Sequence, residues 1–170
     1  MRNVSTFRVY LPMVAAIALL LAHGGTSFAA GKATNTARVF RISQSISSDA
    51  FTEVSFNDED YDVGNLHSTT TDSECLTVPL RGYGVYAISA TVLWGSGTTG
   101  LRFIELLVNS TQIAANNVQA PTISMSPVQN VASQFLLNAG DCVTLVVYHT
   151  QVGGLSIDAN LEMTFVAPGP

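Results

Sequence analysis

The chain has 170 residues and a formal charge of −5, with seven basic residues against twelve acidic ones, and 47% of it is hydrophobic. A chain of this size holds about one domain with a real core. Its acidic, lysine-poor balance argues against nucleic acid and anionic membranes as partners, while leaving room for cations or basic proteins.

The N-terminal region reads as an export signal. Arg2 and Arg8 give a positive start, and the apolar run 11–22 (LPMVAAIALLLA) has the length of a signal-peptide core. It is shorter than the roughly 20 apolar residues that span a bilayer. His23-Gly24-Gly25-Thr26 breaks the run, and Ser27-Phe28-Ala29 then presents small residues at the two positions a signal peptidase reads. Cleavage is expected after Ala29, since cutting after Ala30 would place Phe28 in a small-residue pocket; an uncleaved anchor is the alternative. The expected organisation is a signal peptide over 1–29, a short flexible leader over 30–36, and one domain over 37–167. The mature part keeps five basic residues (Lys32, Arg38, Arg41, Arg81, Arg102) against all twelve acids, a net charge of −7. No second long apolar stretch follows, so no stable membrane insertion is expected after cleavage. The compartment is secreted or extracellular, or periplasmic or cell-surface in a bacterium. Cys75 and Cys142 would meet oxidising conditions there, as a disulfide or as two half-buried thiols.

Beyond the leader, alternation and turn punctuation replace helical periodicity. Residues 37–44 set Val39 and Ile42 against Arg38 and Arg41, and residues 51–56 alternate, with Phe51 or Val54 and Phe56 as the apolar positions. The acidic run 58–62 reads as a solvated loop. A short strand over 75–79 is closed by Pro79, which would cost a ladder bond any deeper. The longest strand, 84–94, places Tyr86, Ile88, Ala90, Val92 and Trp94 on one face. After the loop 95–100, strands are predicted over 101–108, closed by Asn109-Ser110, and over 113–118. Strands 128–137 and 142–150 flank the turn Asn138-Ala139-Gly140-Asp141, and 155–166 closes the domain. Eight to ten strands without a helix predict an all-β, antiparallel two-sheet sandwich or jelly roll.

Four stretches, in order, resemble the complement C1q/tumour-necrosis-factor jelly-roll family. They are Ala37-Arg38-Val39-Phe40 with Val54-Ser55-Phe56-Asn57 and Tyr61-Asp62; Leu76-Thr77-Val78-Pro79 with Gly84 to Ala90; Arg102, Leu106 and Asn109, with Ser110 where the family has Gly; and Leu137-Asn138-Ala139-Gly140-Asp141-Cys142-Val143-Thr144-Leu145. Together they cover about residues 37–166. The segment 80–83 is two residues longer than the family pattern, and no collagen-like stalk precedes the domain. The resemblance implies a homotrimer in which each copy packs an open edge on its neighbour's sheet. Tyr86, Trp94, Phe135 and Phe165 are then candidates for core or trimer interface. It also places the strands of Cys75 and Cys142 side by side and antiparallel with both cysteines near their strands' starts, which argues against a bridge between them.

Chemistry is sparse. His67 and His149 are the only mature histidines, and no nucleophile elbow or His-rich inner face occurs, so no enzyme is expected. Asp58, Asp60 and Asp62 are the one cation candidate. Val63 and Thr69 stand where a helix-loop-helix calcium site needs Gly and Glu. Calcium occurs at trimer apices in the family, but its ligand set finds no match here, and no cofactor is expected. Asn109-Ser110-Thr111 is a glycosylation sequon in a eukaryotic secretory pathway. The sequence thus reads as a secreted C1q-like binding or assembly module with an unknown protein or glycan ligand. The alternative is a structural subunit of a surface layer, matrix or appendage.

Overall fold

A computed structural model describes residues 35–170; the expected signal peptide with its cleavage point at Ala29, and most of the leader, lie outside the described residues. Ten strands form two antiparallel sheets: β1 (Thr36–Ile46), β2 (Thr52–Glu53), β3 (Asp58–Val63), β4 (Cys75–Thr77), β5 (Gly84–Trp94), β6 (Leu101–Val108), β7 (Thr111–Gln119), β8 (Val128–Leu137), β9 (Cys142–His149) and β10 (Leu155–Pro168). One sheet has the order β3-β1-β10-β5-β8, and the other has β2-β9-β6-β7 with β4 also paired to β9. From β5 onward the chain repeatedly crosses between the sheets, so strands adjacent in sequence often face each other across the core.

Period-two side-chain alternation builds that core. In β5 the predicted face of Tyr86, Ile88, Ala90, Val92 and Trp94 is buried. It is flanked in register by Leu161 and Met163 of β10 and by Gln129 and Val131 of β8. Opposite stand Ile104 and Leu106 of β6, each paired with Val147 and Leu145 of β9. The two inner faces interdigitate as in other sandwiches.

Three sequence expectations need correction. The acidic run is no loop: residues 58–63 form β3, an edge strand on β1 whose register slips between Arg38 and Val39. An exposed edge suits such a charged strand, because its like charges discourage further strand pairing. Ile42 is not on an apolar face. Alternation from Val39 sends it outward, to 64% exposure, just where β1 bulges between Arg41 and Gln44, with Ser43 at φ 56° and its amide donating to Asp158 Oδ1 at 2.9 Å. Phe51 also points outward, since Val54 and Phe56 are fully buried and hold the inward parity.

The cysteines need the fourth correction. Both do begin their strands, but β4 is only three residues long, so its two ends are two residues apart. Cys75 pairs with Thr144 and Thr77 with Cys142. The cysteines therefore share a face on a diagonal, with Cα atoms 5.5 Å apart, and are joined as a disulfide. That spacing lies inside the range a bridge requires. The bridge closes a loop across a sequence separation of 67 and ties β4 to β9. Replacing both cysteines by serine is expected to lower unfolding free energy by about 2–4 kcal/mol. Urea unfolding of both proteins measures this, and a native mass two hydrogens below the reduced mass marks the bridge.

Candidate binding surfaces

The two turn motifs singled out in the sequence meet in space. Asn109 and Ser110, at φ 47° and 65°, make the two-residue hairpin between β6 and β7. Gly140 takes φ 86° in the β8–β9 turn, where a side chain would meet nothing within 4 Å but would still have to adopt the left-handed region. Asp141 Oδ2 accepts from the Asn138 amide at 2.7 Å, and Asp141 Oδ1 accepts from Asn109 Nδ2 at 2.8 Å. Asn109 Oδ1 in turn accepts from the Cys142 amide at 3.0 Å. Both ends of the sequon's side-chain amide are thus engaged in clipping one hairpin to the other. Nothing in the sequence signalled that the Arg-x-x-x-Leu-x-x-Asn and Gly-Asp patterns are partners.

At the opposite end of the sandwich, polar groups are buried. Arg102 and His149 face each other in register across β6 and β9, and both are fully buried. Arg102 Nη1 donates to the carbonyls of Thr99 and Leu101, Nη2 donates to Gln151 Oε1 at 2.7 Å, and the guanidinium lies 5.7 Å from the Trp94 ring centre. Burial without a carboxylate holds the Arg102 pKa below its ordinary value. Trp94 Nε1 donates to Gln129 Oε1 at 2.6 Å, and Gln129 Nε2 reaches the carbonyls of Arg102 and Asn116. His149 Nε2 faces the Ile46 carbonyl at 3.1 Å. The arrangement positions loops from both sheets; neither histidine is placed beside a nucleophile.

The four candidate aromatics separate. Tyr86 and Trp94 are fully buried, and Tyr86 donates to the Gly82 carbonyl at 2.8 Å. That bond anchors the segment 80–83, which forms a turn closed by Gly82 N donating to Pro79 O. Phe165 is part-buried, edge-on to Tyr86 at 5.4 Å. Phe135 pairs with Tyr86 in register yet is 39% exposed, because β8 is the sheet edge.

Asp58, Asp60 and Asp62 serve three separate partners. Asp58 accepts from the Glu59 amide, Asp60 lies 3.3 Å from Arg38 Nε, and Asp62 accepts from the amides of Leu66 and His67. His67 sits between Glu59 Oε1 at 2.8 Å and the Ser73 carbonyl at 3.1 Å. Among the described residues no group of three or more His, Cys, Asp or Glu is placed to hold a metal ion.

The outer face of the β1-containing sheet is the surface these elements leave uncovered. Around β5 and β8 it holds a shallow depression of about 330 Å³ lined by Ala87, Ser89, Ala132 and Gln134, with Glu162 and Thr164 at its side. Leu136 stands in the next row on one side, and Leu93 with Val128 lies beyond the Thr91–Asn130 row on the other, each 38% or more exposed. Small side chains in mid-sheet suit the close approach of another surface.

The architecture is a ten-strand C1q/TNF-like jelly roll. No family model matches the chain, and no curated protein matches it. Solved structures are similar to it: the globular domain of the zebrafish complement 1qA protein (16% identity, 79% of this chain and 99% of that one, TM-score 0.55); Eiger TNF from S. frugiperda (12%, 82% and 96%, 0.56); and the PRD1 vertex protein P5 (15%, 81% and 100%, 0.61).

Two predictions follow from the buried groups. Gln129→Leu strands the Trp94 indole N–H and is expected to cost about 1–3 kcal/mol; Trp94 is the sole tryptophan, so its emission reports the urea transition directly. Burial raises the Tyr86 pKa above its usual value near 10, opposed by the Asn35 hydrogen bond. The unfolded phenol therefore ionises first, so Tyr86's contribution to stability is whole below pH 10 and is lost as pH rises through the folded value. Tyr86→Phe should show a shallower fall in stability above pH 10 than the native chain.

Proposed function

We propose that this protein is an exported, non-enzymatic binding or assembly module that works as a homotrimer, using the outer face around β5 and β8 as its self-contact and its loops for protein or glycan recognition. The observation that carries this is a sheet face with the small residues Ala87, Ser89 and Ala132 in its middle and the exposed apolar side chains Leu136, Leu93 and Val128 toward its two ends. A monomer would leave that face in water, whereas a second copy's edge could cover it. The signal-like N-terminus and the Cys75–Cys142 disulfide support an oxidising, extracytoplasmic location. Two isolated histidines, each held by local oxygen acceptors, support a role without catalysis. Three copies would let weak loop contacts add by avidity.

The similarity to the PRD1 vertex protein P5 favours a second reading, a structural subunit whose ligand is its own assembly. Sedimentation equilibrium at micromolar concentration tests the first reading. A three-chain mass is expected, and Ala132→Arg should return a folded single chain with an unchanged disulfide. A monomeric native protein overturns the trimer, and open-ended growth with concentration favours the structural subunit. Mass spectrometry of the exported product is expected to find Ala30 as its first residue.

A further inference from the structure

The opposite surface of the sandwich, the outer face of the β2-β9-β6-β7 sheet, carries a second feature. Phe51 is 65% exposed and stacks on Tyr148, with ring centres 4.7 Å apart and planes 26° from parallel. It also meets Phe103 edge-on at 6.0 Å. Register fixes what surrounds this trio. Tyr148 pairs with Phe103, and Phe103 with Asn117, in one row across the sheet. The adjacent row, two residues along each strand, reads Glu53, Val146, Glu105, Ala115. Directly opposed residues share a face, so Glu53 and Glu105 flank Val146 beside the aromatic row. On the other side of the trio, Tyr148 Oη donates to Asp49 Oδ1 at 3.2 Å.

Three carboxylates therefore border three rings. Among the described residues no lysine or arginine forms an ion pair with them: the ion pairs are Arg38 with Asp60 and His67 with Glu59, and Arg102 is fully buried. Exposed aromatic rings attract cations through their faces, and guanidinium groups stack on them while pairing with carboxylates. Burial raises the Glu105 pKa above its ordinary value. An added cation would oppose that shift.

We propose that this face, with Phe51, Phe103 and Tyr148 lying between Asp49, Glu53 and Glu105, receives arginine or lysine side chains of a basic protein partner. The proposal rests on the reading of the chain as a binding module, and it names the chemistry of the partner. It does not depend on the trimer, which uses the other sheet.

Calorimetric titration of the native protein with hexa-arginine and with hexa-lysine peptides tests it. Binding is expected for both, tighter for hexa-arginine because only the guanidinium stacks. The pair Glu53→Gln and Glu105→Gln should weaken hexa-arginine binding roughly tenfold or more, about one factor of ten per 1.4 kcal/mol. Asp58→Asn with Asp60→Asn removes the same charge from the other sheet and should change the affinity less than about twofold. Phe51→Ala, at a position already largely in water, should weaken hexa-arginine more than hexa-lysine while leaving the urea midpoint in place. Equal losses in the two charge pairs would reveal diffuse attraction to an acidic protein and overturn the site, as would no measurable binding by the native chain. A trimer that binds neither peptide overturns this face and leaves the assembly reading standing; a monomer that binds hexa-arginine does the reverse.

Discussion

β10 runs between β1 and β5, so the last strand of the chain supplies the middle of one sheet. Its inward residues Ile157, Ala159, Leu161 and Met163 pair with Trp94, Val92, Ala90 and Ile88 on one side, and Leu161 and Met163 with Val39 and Ala37 on the other. Those rows are the floor on which β6 and β9 lay Ile104, Leu106, Leu145 and Val147. Neither β1 nor β5 can keep its buried face dry without this insertion. Pairing between residues more than a hundred positions apart must form before the core exists, and such non-local closure is slow to assemble.

The ends of the sandwich are held by polar bonds rather than by apolar packing. At one end, the Asn109 side chain donates to Asp141 and accepts from the Cys142 amide, joining two tight turns. At the other, Arg102 is buried without a counterion among the described residues; two carbonyls, Gln151 and the Trp94 face engage its terminal nitrogens, while its Nε has no partner. A buried cation of this kind is costly unless its donors are matched, so it fixes loop positions more than it adds stability. With both ends fastened and the disulfide holding β4, the two outer faces are left as the broad surfaces open to partners, one apolar and small-residued, the other aromatic and acidic.

Much of the fold was legible because inward parity survives in single strands. Tyr86 to Trp94 in β5 and the Gly140-Asp141 turn could be read directly, since alternation and positive-φ preference are local properties. The expected loop over Asp58–Asp62 failed because charge was read as loop, whereas an edge strand buries neither face fully and tolerates it. Ile42 failed because it stands three residues from Val39, an odd spacing that alternation sends to the opposite face. The cysteine argument failed because strand length, not strand direction, decides whether two strand starts are far apart. The site was less legible than the fold. Glu105 lies 52 residues or more from Glu53 and Phe51, and only sheet register makes the three neighbours of Tyr148.

The sequence by itself determined an all-β sandwich, its turns, the inward faces of its long strands and the likeness to the C1q/TNF jelly roll, because each depends on residues adjacent in the chain. Tertiary structure alone decided that Cys75 reaches Cys142, that Phe135 is surface while Trp94 is core, and that acids and rings from β2, β6 and β9 share one face. Those outcomes depend on register between distant strands, where a shift of one residue turns every side chain to the opposite side.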